Sequence, residues 1–201
     1  MKLFALAVCK WKEGSKPVLL SAAWDLGSFN LFQRSTVKDF MTMFSRTVVE
    51  RAEPGTRQQV EQDDYVAYCH KKTDGLAAIL ICDKEYPARV AFTFVSKTVS
   101  EYGEKNKGKW ESADIKEDNC IEYAQLAADL AKYQDPEEAD KILKIQKDLE
   151  ETKTIMHQAI GDLLERGEKL DDLVQKSGDL GSASKAFYQG AKSNNSCCKM
   201  M

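Results

Sequence analysis

The chain has 201 residues, 43% hydrophobic and 30% charged, with a formal net charge of −3. This is the composition of an ordinary folded domain with an appendage, and the weak negative charge excludes nucleic-acid binding by bulk electrostatics. The longest apolar run, Leu76 to Cys82, is far shorter than the ~20 residues of a membrane-spanning helix, and Met1-Lys2-Leu3-Phe4 lacks the long apolar core of a secretory leader.

Lys2–Lys10 and Pro17–Trp24 read as strands, joined as a hairpin across Gly14. Val37, Phe40, Met41, Phe44 and Val48 recur at helical spacing, which predicts a helix over Val37–Arg51 with Ser35 or Thr36 as its cap. Pro54-Gly55 ends it. Three further strands are expected at Arg57–Gln62, Tyr65–Lys72 and Leu76–Cys82, separated by Asp63-Asp64 and Thr73-Asp74-Gly75 turns. A helix from Pro87 to about Tyr102, a charged loop over Gly103–Asn119 and a helix over Cys120–Tyr133 complete the region. The expected class is α+β: one antiparallel sheet of five strands with helices on both faces, over residues 1–135.

Asp135-Pro136 breaks the chain, and the periodicity then changes. From Ile142 the steps are 3, 4, 3, 4 through Ile145, Leu149, Thr152, Met156, Ala159, Leu163, Arg166, Leu170, Leu173, Ser177, Leu180, Ser184 and Phe187. This is a heptad seam, so residues 136–195 form a coiled-coil segment that needs partner helices. Five glycines, at 161, 167, 178, 181 and 190, interrupt it. At ~0.8–1 kcal/mol each they predict a segment that is unfolded or folded back when alone and helical when bundled. Arg166 stands in the seam between Leu163 and Leu170. Its five donors need acceptors from neighbouring helices, unless a local shift of the seam turns it to solvent.

The tail over residues 196–201 contains Cys197-Cys198-Lys199-Met200-Met201. Cys198 fits a C-a-a-X farnesylation signal, although Lys199 is not aliphatic, and Cys197 is a natural site for palmitate or another second lipid. The other cysteines, Cys9, Cys69, Cys82 and Cys120, read as reduced packing residues. His70 and His157 are far apart, and no catalytic or metal-binding motif is present, so neither an enzyme nor a metal or cofactor site is expected.

The stretch LLERGEKLDDLV (Leu163–Val174), with Lys176-Ser177, Leu180-Gly181 and Ser184-Lys185-Ala186-Phe187-Tyr188, resembles the R-SNARE motif, most nearly that of the prenylated longin SNAREs with two terminal cysteines. Ser28-Phe29, Phe32-Gln33-Arg34-Ser35, Phe40-Met41-Thr42, Glu85-Tyr86-Pro87 and Arg89-Val90-Ala91-Phe92-Thr93 resemble the longin domain of that family. The resemblance implies a profilin-like longin fold followed by a SNARE helix. It makes Arg166 the ionic layer that meets three Gln residues of partner SNARE helices, within a seam of Leu149, Met156, Leu163, Leu170, Leu173, Leu180 and Phe187. It implies a closed cytosolic form, in which an intramolecular longin–SNARE contact shields the lipid, and a form anchored on the cytoplasmic face of Golgi, endoplasmic reticulum and endosomal membranes. The longin surface of that contact would be Phe40, Met43 and Phe44, with Met43 standing where relatives carry Phe. Disassembly and tethering factors are further implied partners; the implied steps are endoplasmic reticulum to Golgi, intra-Golgi, endosomal and autophagosome fusion. Competing readings are S-acyl transfer by the longin domain and a passive coiled-coil tether.

Overall fold

The computed structural model describes residues 1–112, 115–143, 152–165 and 167–197. Its strands are β1 (Leu3–Lys12), β2 (Ser15–Trp24), β3 (Thr56–Gln62), β4 (Tyr65–Lys71), β5 (Leu76–Asp83) and β6 (Thr154–His157). They form one sheet in the order β2-β1-β5-β4-β3-β6. The first five pair antiparallel, as the alternating and continuous apolar runs predict.

Helix α1 (Arg34–Arg51) covers one face of the sheet. Helices α2 (Ala88–Lys105) and α3 (Gln125–Lys132), with the start of α4 (Pro136–Leu143), cover the other. Because both faces are covered, β1 and β5 are buried along nearly their whole length. Leu6, Val8, Leu80, Phe94 and Tyr102 fill the α2 side, and Ala5, Ile79, Val48 and Val49 the α1 side.

Three local expectations are corrected. Helix α1 begins three residues earlier than the apolar pattern, at Arg34, and its N-cap is Gln33 without a side-chain cap bond, not Ser35 or Thr36. Helix α2 runs on through Lys105, and the expected Cys120–Tyr133 helix is confined to Gln125–Lys132. The residues before α3 are held against the edge of β2 instead: Asn119 N–H donates to Leu19 O (2.6 Å) and Ile121 N–H to Leu20 O (3.1 Å). Cys120 is consequently exposed, whereas Cys9, Cys69 and Cys82 are buried.

The heptad region is not one helix here. Its described part consists of α4, β6, a 3-10 turn at Ile160–Leu163, α5 (Leu170–Lys176) and α6 (Ser182–Cys197). The glycines supply the breaks. Gly167 takes φ +91, a backbone conformation that side chains disfavour, and it lies between the 3-10 turn and α5.

Candidate functional site

The heptad-bearing segment folds back over α1 and the β3 edge. Strand β6 adds to β3 in parallel, pairing Arg57 with Thr154 through Val60 with His157. Arg57 N–H donates to Lys153 O at 2.8 Å, and the Arg57 guanidinium to Thr152 O at 2.9 Å. His157 Nε2 meets Gln58 Oε1 at 3.1 Å, so this side chain is engaged rather than turned to solvent. The β3 edge, otherwise a row of open backbone donors and acceptors, is thereby satisfied from within the chain.

Beyond β6, Ile160 is 1% exposed and joins the core under α1. Helices α5 and α6 then lie on the outer side of α1. Met43, Val174 and Leu180 form a small buried cluster, with Phe40, Leu170 and Tyr188 packed around it. The rings of Phe40 and Tyr188 are 5.8 Å apart. Tyr188 Oη donates to Asp171 Oδ1 at 2.8 Å; burial, reinforced by that carboxylate, pushes its phenol up to about 12.

Polar contacts frame this apolar seam. The Arg46 guanidinium pairs with both Asp118 and Asp179, and Lys16 Nζ lies 2.9 Å from Asp179 Oδ1. Arg51 reaches Glu165 at 2.8 Å and Glu168 at 3.3 Å. Ser184 Oγ donates to Asp39 Oδ2 at 2.8 Å.

Between α1 and the folded-back segment lies a cavity of about 420 Å³. It is lined by apolar groups including Phe29, Met41, Phe44, Ile160, Leu170 and Phe187. Its size and character are those of a site for an apolar ligand.

The regulated-SNARE-like longin family matches residues 26–126, and the synaptobrevin family matches residues 141–201. Synaptobrevin homolog ykt6 of Schizosaccharomyces pombe is 46% identical over 200 residues, 98% of each chain. VAMP-like protein YKT61 of Arabidopsis thaliana is 46% identical over 202 residues, and Synaptobrevin homolog YKT6 of Saccharomyces cerevisiae is 43% identical over 203, each alignment covering 100% of both chains.

The chain is a longin-type R-SNARE.

Its family role is vesicle docking and fusion through SNARE assembly, and the family is not an enzymatic one. Among the described residues no group of His, Cys, Asp and Glu side chains could hold a metal ion, and no helix is long and apolar enough to cross a membrane.

The longin-side residues singled out from sequence converge. Met43 is 6% exposed against Val174 and Leu180, Phe40 stacks on Tyr188, and Phe44 lines the cavity. The SNARE seam is divided. Leu180 is buried, Leu163, Leu170 and Leu173 are half-buried, while Met156 is 66% and Phe187 45% exposed. Leu149, Arg166 and Cys198 lie outside the described residues, and Cys197 is the last residue of α6.

Sequence reasoning missed Val174, which is wholly buried although it is not a seam position, and the Arg46–Asp118–Asp179 group. Nothing in the spacing of these residues signals contacts that join separate elements. The β6 strand was hidden for another reason: Met156 falls on the heptad seam, so Thr154–His157 reads as part of the coiled coil.

Proposed function

We propose that this R-SNARE works by exchange between the closed arrangement and an extended SNARE helix at residues 136–195, behind a longin domain at 1–135 and a lipidated tail at 196–201. The observation that carries the reading is that one segment holds both the heptads and the contacts to α1 and β3. Its apolar residues cannot serve both surfaces at once. Opened, Leu149, Met156, Leu163, Leu170, Leu173, Leu180 and Phe187 would zip with three Gln-type SNARE helices, and Arg166 would set their register by meeting three uncharged amides. Disassembly and tethering factors would then act on the open form.

The anchor in this reading is the tail, with a prenyl chain on Cys198 and a second lipid on Cys197. One chain alone binds a bilayer only marginally, with a partition constant of ~10⁴ M⁻¹, so two are needed for stable attachment. In the closed state the cavity between α1, α5 and α6 would shelter a prenyl chain, because its lining is nearly all apolar. The protein would thus be held in the cytosol with its lipid covered, and on Golgi, endoplasmic reticulum and endosomal membranes when open. The transport steps served would be endoplasmic reticulum to Golgi, intra-Golgi, endosomal and autophagosome fusion.

S-acyl transfer by the longin domain draws no support from its buried thiols; Cys120 is the exposed cysteine among the described longin residues. Cys9, Cys69 and Cys82 are buried, and burial raises all three, Cys69 to about 12, which disfavours the nucleophilic thiolate.

The test of the anchor is the intact mass of the protein purified from its native cells. The expected mass lacks Lys199–Met201 and carries lipid on both Cys197 and Cys198. A full-length, unmodified carboxyl end overturns this part of the reading.

A further inference from the structure

We infer that the β2–α1 loop carries a membrane-facing tip, Leu31 and Phe32, which inserts into the interface of an anionic phospholipid bilayer beside the tail. Leu31 is 72% and Phe32 93% exposed. Phe29, in the same loop, turns inward instead and packs on Phe4 with 5.5 Å between ring centroids. The inward ring fixes the loop, so the two adjacent side chains are held out.

The backbone around the tip is already bonded within the loop. Asn30 Oδ1 accepts from Phe32 N–H at 3.2 Å, and Asn30 O accepts from Gln33 N–H at 2.8 Å and Arg34 N–H at 3.2 Å. The Arg34 guanidinium donates to Phe29 O at 3.1 Å and Gly27 O at 3.3 Å. A loop that satisfies these groups itself can enter a poorly hydrated layer without stranding them.

Position and charge identify the surface it meets. Along α1, Asp179 contacts Arg46, Leu180 contacts Met43, and Ser184 contacts Asp39. The chain from Asp179 into the first turn of α6 thus advances toward the N-terminal end of α1, beyond which Leu31 and Phe32 stand. Phe187 and Phe29 line the same cavity, which brings the two elements together at that end. Behind the tip are the cations Arg34 and Lys38, the latter 5.7 Å from the Trp24 ring centroid, whereas the nearby Asp39 is engaged by Ser184. Apolar side chains backed by cations suit an anionic lipid surface. Two side chains fall far short of the ~800 Å² per partner of a stable protein interface. They are enough to strengthen a marginal lipid anchor, which is the use a singly lipidated form of this chain has for them.

The tail's place at the membrane rests on the reading above, so the test supplies its own tether. The unlipidated full chain, held by a carboxyl-terminal polyhistidine tag, is placed on phosphatidylcholine–phosphatidylserine vesicles containing sparse nickel-chelating lipid. Phe32→Trp is compared with the parent, which has its own 3 tryptophans. Brominated lipid is expected to quench the added fluorescence. Leu31→Ser with Phe32→Ser, its circular dichroism unchanged, is expected to lower vesicle affinity roughly tenfold. Absence of extra quenching, or unchanged affinity of the double variant, overturns the inference. Loss of a protein partner with vesicle binding intact overturns it too, by assigning the tip to that partner. Failure of lipidation would appear in the native mass and leave this assay readable.

Discussion

The Arg46 guanidinium on α1 and the Asp179 carboxylate before α6 form an ion pair whose side chains are each 9% exposed. The pair joins the longin half of the chain to the SNARE half. Arg46 also holds Asp118, which in turn accepts from Leu19 N–H at 3.1 Å, so the latch is tied to the β2 edge. Breaking such a pair from one side leaves the other charge poorly solvated. Asp179→Asn should weaken the closed arrangement by about 1–3 kcal/mol, and Arg46→Gln by a similar amount, since Asp118 loses its guanidinium while Asp179 keeps Lys16. Limited proteolysis of the 177–181 turn measures this as faster cleavage in both variants.

Met43 sits in the apolar seam against Val174 and Leu180. A carboxylate there would have no cation within the cluster and would cost several kcal/mol to bury. Met43→Glu should therefore open the chain while leaving the longin fold intact. Small-angle scattering checks it, the expected outcome being a larger radius of gyration with an unchanged strand signal in circular dichroism.

Val174 separates the two states. It is 0% exposed in the closed form but lies off the heptad seam. Val174→Ala should cost the closed form about 1–2.5 kcal/mol by loss of buried methyl groups and leave four-helix assembly intact. Leu163→Asp with Leu170→Asp should abolish assembly, because both lie on the seam. SDS-resistant complex formation with three Gln-type SNARE helices is the readout for each.

His70 predicts a pH dependence. Its ring is buried with Nδ1 2.9 Å from Ser96 Oγ; burial, aided by Arg57, lowers its pKa to about 4. The folded chain therefore refuses a proton that the unfolded chain accepts near pH 6.5. The contribution is fully present above pH 6.5 and is lost progressively as pH falls toward 4. The loss should be about 2 kcal/mol, allowing for partial solvent screening. Urea unfolding at neutral pH and near pH 4.5 measures it, with His70→Asn flattening the difference.

The first domain was largely legible in the sequence because its core obeys local periodicities. Leu76–Cys82 is apolar throughout and forms a strand covered on both faces, and Val37, Met41 and Val48 mark the inner side of α1. The convergence of Met43, Phe40 and Phe44 toward the SNARE segment was suggested by resemblance and not by spacing. What stayed hidden depends on tertiary choice. Thr154–His157 can extend a heptad helix or pair with Arg57–Val60, and in the single chain the open β3 edge decides for the strand. Asp179 and Arg46 are 133 positions apart, and no local pattern links them.

In the proposed cycle the segment seated on α1 is the same one that zips with partner helices. Spin labels at positions 38 and 189, both exposed, with Cys120, Cys197 and Cys198 replaced by Ser, read this directly by pulsed electron paramagnetic resonance. The free chain should show one short distance, and addition of three Gln-type SNARE helices should replace it with a long, broad distribution. A short distance that persists in the assembled complex would contradict the proposed exchange.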